Sequence, residues 1–150
     1  MKIQMACICA FVMANAGGLA QAQNVAGPPE LQPIADQFFQ QLKKGDAPGA
    51  FRSAMKDTVQ LLGTGPVDTM SGQTAAMISS FGGVVDWRPL AADNMTPTFV
   101  RETYYVRTKA APLFVTFLFY KADKSWEAVD IQLGTYYREK SEGHLVEPNR

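Results

Sequence analysis

Outside its first nine residues the chain has no cysteine, and in 150 residues it has one histidine, His144. Those two scarcities exclude more chemistry than any motif supports. No Cys/His zinc site can be assembled from one imidazole and no thiol. A Ser-His-Asp triad would have to recruit a histidine from the polar C-terminal end, where a surface role is the expected one. No loop of alternating acidic residues suggests calcium. Gly63-Thr64-Gly65-Pro66 lacks the Lys-Ser/Thr ending of a phosphate loop and reads as a turn. Charge of one sign is missing too, with 14 basic against 14 acidic residues. A near-neutral chain carries no electrostatic footprint for nucleic acid or anionic lipid. No metal, cofactor or nucleic acid is therefore expected.

What is present begins with an export signal. Lys2 supplies one positive charge, Ile3 to Leu19 are mostly apolar and small, and Ala20-Gln21-Ala22 fits a signal-peptidase site. Cleavage is expected before Gln23. The apolar stretch is short and interrupted by Gln4, Asn15, Gly17 and Gly18, so it does not read as a membrane span. Cys7 and Cys9 fall inside the signal, too early for a lipid anchor. The mature protein would be periplasmic or secreted, with 128 residues, 13 basic and 14 acidic, and no possible disulfide. Its stability must come from packing, and its size is that of one ordinary domain.

Residues 23–30 read as a short mobile leader. Leu31, Ile34, Ala35, Phe38 and Leu42 then recur at helical spacing, predicting a helix from about Pro29 to Lys44 that Gly45 ends. Asp46 can cap a second helix, with Ala50, Phe51, Ala54 and Met55 on its apolar face. A third fits about Asp68 to Ser80, with the stripe Met70, Thr74, Met77, Ile78 and Phe81, and Gly82-Gly83 ends it. These Met and Phe stripes are most simply core, although methionines also adapt to apolar ligands. From Val84 the period falls to two, and strands are expected at about 84–92, 98–108, 112–121 and 125–135, joined by tight turns. The single domain spans 31–137, and 138–150 is a polar tail. The fold class is α+β, with three N-terminal helices packed on a curved, four-stranded antiparallel meander.

The order of a long first helix, two shorter ones and long final hairpin strands, the last opening on Ser125-Trp126-Glu127-Ala128-Val129, resembles the nuclear-transport-factor-two-like superfamily of cone-shaped domains. It is similar in particular to small exported bacterial members of unknown function. The resemblance is one of pattern over about Leu31 to Tyr137. It implies that the outer sheet face often serves for pairing. In enzymes of the superfamily it implies an apolar ligand held in the cone by an inward carboxylate and a tyrosine.

Two features of the strands point to a site. Leu113-Phe114-Val115-Thr116-Phe117-Leu118-Phe119-Tyr120 barely alternates, so both of its faces should be covered. Helices can cover one face; a homodimer through the sheet is expected to cover the other. If Thr108 faces Pro112 and Tyr120 faces Trp126, then Tyr104 faces Thr116 and Thr116 faces Asp130. One face would then carry Glu102, Tyr104, Thr116, Asp130 and Gln132, flanked by Phe114, Tyr120 and Trp126. The other would carry Leu113, Val115, Phe117, Phe119, Val129, Ile131 and Leu133. A one-residue change in either turn exchanges the faces. The polar-aromatic face either lines a pocket, with Asp130 as base, Tyr104 as donor and Thr116, Gln132, Phe114, Tyr120 and Trp126 around a ligand, or is the outer face and an interface. The expected function is a non-enzymatic exported domain that binds a small apolar ligand or a protein partner. The alternatives are a cofactor-free isomerase or cyclase using Asp130 and Tyr104, and a structural dimerisation module.

Overall fold

The computed structural model describes residues 26–136. The expected signal with Cys7 and Cys9, and the tail with His144, lie outside the described residues. Four helices precede four strands among the described residues: α1 (Gln32–Lys43), α2 (Ala47–Ala54), α3 (Lys56–Leu62), α4 (Gly65–Ser80), β1 (Val84–Thr96), β2 (Phe99–Thr108), β3 (Pro112–Ala122) and β4 (Ser125–Gly134). The strands form one antiparallel sheet in sequence order, which is open, with β1 and β4 at its edges. No helix among the described residues is long and apolar enough to cross a membrane.

The helix ends follow from their residues. Pro33 lies in the first turn of α1, where its missing N–H costs nothing, and Lys43 sits in the last turn, where its charge suits the helix dipole. Gly45 follows at φ 83°, a conformation glycine adopts without strain. Asp46 caps α2, its Oδ1 accepting from the Gly49 N–H at 2.9 Å. Helix α3 was not expected; it buries no residue completely and so leaves no apolar stripe to read.

Ala35, Phe38, Phe39 and Leu42 of α1 and Ala50, Phe51 and Ala54 of α2 share one core with the sheet residues Val100, Tyr104, Val106, Leu113, Val115, Phe117, Phe119 and Ile131. Its centre is aromatic. Phe38 meets Phe51 and Phe117 edge-on at 5.2 and 5.1 Å, and Phe117 stacks on Phe119 at 5.2 Å. Such contacts contribute about 0.5–1.5 kcal/mol each beyond the area they bury.

The register is where expectation and structure part. Arg107, not Thr108, stands opposite Pro112, so Thr103 faces Thr116 and Tyr104 faces Val115. Thr108 is taken up by the turn, where its hydroxyl accepts from the Ala111 N–H at 3.2 Å. This one-residue difference carries Glu102 and Tyr104 from the polar-aromatic face to the face packed on the helices. In the second hairpin, Lys121 faces Trp126 and Tyr120 faces Glu127 around a turn with Asp123 at φ 54°. A bulge between Leu118 and Phe119 then brings Thr116 opposite Gln132 rather than Asp130.

Candidate functional site

Two places concentrate polar and aromatic side chains. The first is the sheet face that carries no helix. Phe99, Arg101, Thr103 and Tyr105 of β2 lie beside Phe114, Thr116, Leu118 and Tyr120 of β3. At the centre the Thr103 and Thr116 hydroxyls share a hydrogen bond at 3.0 Å. Phe99 meets Tyr120 at 6.4 Å, and Tyr105 meets Phe114 at 6.0 Å with the Arg88 guanidinium over its ring at 5.1 Å. Arg101 pairs with Asp93 at 2.9 Å. Asp130 accepts from the Gln132 amide at 2.8 Å. Two hollows of about 240 Å³ each mark this surface, one reaching Thr116, Leu118, Asp130 and Gln132, the other Thr103, Phe114, Thr116 and Gln132.

Of the residues expected from the sequence, Phe114, Thr116, Tyr120, Asp130 and Gln132 thus share this outer face. Trp126 does not. It lies under the Lys121 ammonium at 5.6 Å and packs against the core. Nor does Tyr104, which is fully buried on the helix side. The structure therefore separates Asp130 from Tyr104 by the thickness of the sheet, and the acid-phenol pair proposed from these two residues is not assembled.

The second place is interior. Glu102 is only 2 % exposed, two residues from Tyr104 on the same face of β2 and opposite Phe117. One carboxylate oxygen accepts from the Gly27 N–H at 3.1 Å. Among the described residues neither the other oxygen nor the buried Tyr104 hydroxyl makes a hydrogen bond of full geometry, although the two groups lie close enough to act on each other. Burial pushes the Glu102 carboxyl above its ordinary value, against the smaller opposing effects of Gly27 and Tyr104. Burial, then the nearby Glu102 charge, pushes the Tyr104 phenol well above its usual range. Next to them, the Asp36 carboxylate accepts from the Trp87 indole at 2.8 Å and from the Gln32 amide at 2.9 Å. Phe39 stands between, 5.3 Å from both Trp87 and Tyr104.

The leader residues that the structure describes are part of this place, since Gly27 is fastened to Glu102 and Leu31 is fully buried. The interior pair was legible in outline. Val100, Tyr104 and Val106 alternate as an inward series, and Glu102 falls in step with them. What concealed it was the turn, because only the true length of the Thr108–Ala111 connection fixes which way that series points. Among the described residues no group of three or more His, Cys, Asp or Glu side chains is placed to hold a metal ion.

Compared with family models, curated proteins and solved structures, the chain matches none at a significant level.

Proposed function

We propose that this is an exported, non-enzymatic binding domain, of the nuclear-transport-factor-two-like kind that its pattern resembles, and that it works as a homodimer paired through the outer face of its sheet. One observation carries the reading. The face without helices presents Phe99, Tyr105, Phe114, Leu118 and Tyr120 together, with Tyr120 43 % exposed. A contiguous apolar and aromatic surface of this kind is characteristic of an interface. A macromolecular partner is favoured over a small apolar ligand because the hollows on this face are about 240 Å³, below the roughly 300–1,000 Å³ of ordinary ligand sites. A two-fold dimer applies one patch to its own copy, which requires no second surface. The polar centre, Thr103 with Thr116, already shares one hydrogen bond within the chain, so covering it leaves at most one of the two O–H donors to be met by the partner. Sedimentation equilibrium of the mature protein at micromolar concentration tests the reading. Twice the mature mass is expected, and monomer alone at the highest concentration would overturn it.

A further inference from the structure

The interior acid has a property that the outer-face reading does not use. Glu102 is a nearly completely buried carboxyl group with no cationic partner: the ion pairs of the described residues are Arg52–Asp68, Arg101–Asp93 and Arg107–Asp86. The neighbouring Asp36 is likewise held by neutral donors, Trp87 and Gln32. Neither protonation state of Glu102 satisfies its surroundings. Ionised, its free oxygen can accept from Tyr104, but a buried negative charge stands uncompensated. Neutral, it can donate to Tyr104, but the Tyr104 O–H then has no acceptor.

We propose that Glu102 and Tyr104 form a buried acceptor site for the ammonium group of a small organic amine, and that Gly27–Pro29 is its removable cover. An ammonium group supplies both what the ionised state lacks, a counter-charge, and N–H donors for the free carboxylate oxygen, while Tyr104 donates to the same carboxylate. The surroundings are aromatic, with Phe117 and Phe39 at 5.7 and 5.3 Å from Tyr104. The cover is lightly fastened. Gly27 contributes one backbone hydrogen bond, and it lines a surface groove of about 600 Å³ with Pro28, Pro29, Val100 and the β1–β2 turn. Gly27 and Val100 belong both to that groove and to the surroundings of Glu102, so lifting Gly27 joins the two. Gly27 also fits closely; a Cβ there would come within 3.3 Å of Leu31 Cδ1 and 3.4 Å of Val100 Cγ1.

The test is thermal melting of the mature protein with benzylammonium chloride, against benzyl alcohol and sodium chloride at matched concentration, for the wild type, Glu102→Gln, Tyr104→Phe and Gly27→Ala. The amine is expected to raise the wild-type Tm by about 5 °C at about ten times its Kd. The alcohol and the salt should not, Glu102→Gln should abolish the shift, and Tyr104→Phe should reduce it. Gly27→Ala, whose Cβ asks Leu31 to give by a few tenths of an ångström, should loosen the cover and leave amine binding at least as tight as in the wild type. Equal shifts with alcohol or salt, a shift surviving in Glu102→Gln, or no amine shift in either the wild type or Gly27→Ala at millimolar concentration would overturn the proposal. Amide NMR of the wild type gives a readout independent of the variants' folding. Perturbations centred on Gly27, Glu102 and Tyr104 are expected, and perturbations confined to the outer face would overturn the site.

Discussion

The Trp87 indole N–H donates to the Asp36 carboxylate at 2.8 Å, a bond that ties the edge strand β1 to helix α1. It is a hydrogen bond to an acidic side chain at a half-buried position, where such bonds contribute more than between neutral groups. Trp87→Phe keeps an aromatic ring beside Phe39 and removes the donor. The variant should lose about 1–2 kcal/mol of stability, read from urea midpoints, with the sheet intact by circular dichroism. An unchanged midpoint would show that the bond contributes nothing net.

Glu102 should make the fold more stable in acid. Its carboxyl binds a proton more tightly in the folded than in the unfolded chain, because burial raises it above the ordinary 4.5. Stability is therefore fullest below about 4.5, declines as pH rises from there through the raised folded value, and is level above it. Glu102→Gln should remove that slope and be at least as stable as wild type at pH 7. Urea midpoints from pH 4 to 8 decide it. A wild-type stability that climbs across this window, with the slope unaltered by the substitution, would contradict the assignment.

Leu118 lies at the middle of the helix-free face. Leu118→Glu places a charge where the proposed copy docks, at no cost to the core. The substitution should convert dimer to monomer while changing the monomer's stability by less than about 0.5 kcal/mol, as surface substitutions do. Light scattering on the variant and wild type compares the two directly. A variant that stays dimeric would move the interface elsewhere.

Asp130 is half-buried on the same face and bonded to Gln132. Asp130→Asn preserves size and an acceptor oxygen. It should shift the thermal midpoint by no more than about 2 °C in a domain of this size. A large stabilisation on removing the charge would mean that the docked copy covers Asp130 as well as Leu118, which stands opposite it, rather than leaving it at the rim.

Much of this architecture is written in local pattern, and the parts that are not share one cause. The apolar stripe of α1, the Asp46 cap of α2 and the change to a period of two at Val84 each depend on residues a few positions apart, and each element forms where those residues place it. Helix α3 escapes such reading because Leu61 and Leu62 are 83 % and 64 % exposed and no side chain in it is fully buried. The start of α4 carries Pro66 and Asp68 in its first turn, but Gly65-Pro66 reads equally as a loop, and the extension of β1 to Thr96 lacks a local marker. Which strand residues share a face depends on something longer-ranged, the number of residues each turn consumes. Thr108 pairs with Val84 but enters the turn instead of the β2–β3 ladder, and the β4 bulge absorbs a residue that no periodicity announces. The β3 and β4 members of the outer face keep company because two offsets in that hairpin leave their parity unchanged. Tyr104 and Trp126 change sides because a single offset separates each from that set.

The bond between Gly27 and Glu102 spans 75 positions in the chain. Closing so long a loop has an entropic cost that only a finished sheet can offset, since Glu102 has no fixed place until β2 lies between its neighbours. The amino end of the domain should accordingly be the last segment to dock during folding and among the first to exchange its amide hydrogens in the native protein. Since the amino end of a chain is made first, this reverses the order of synthesis. The segment made earliest waits for strands that are made near the end.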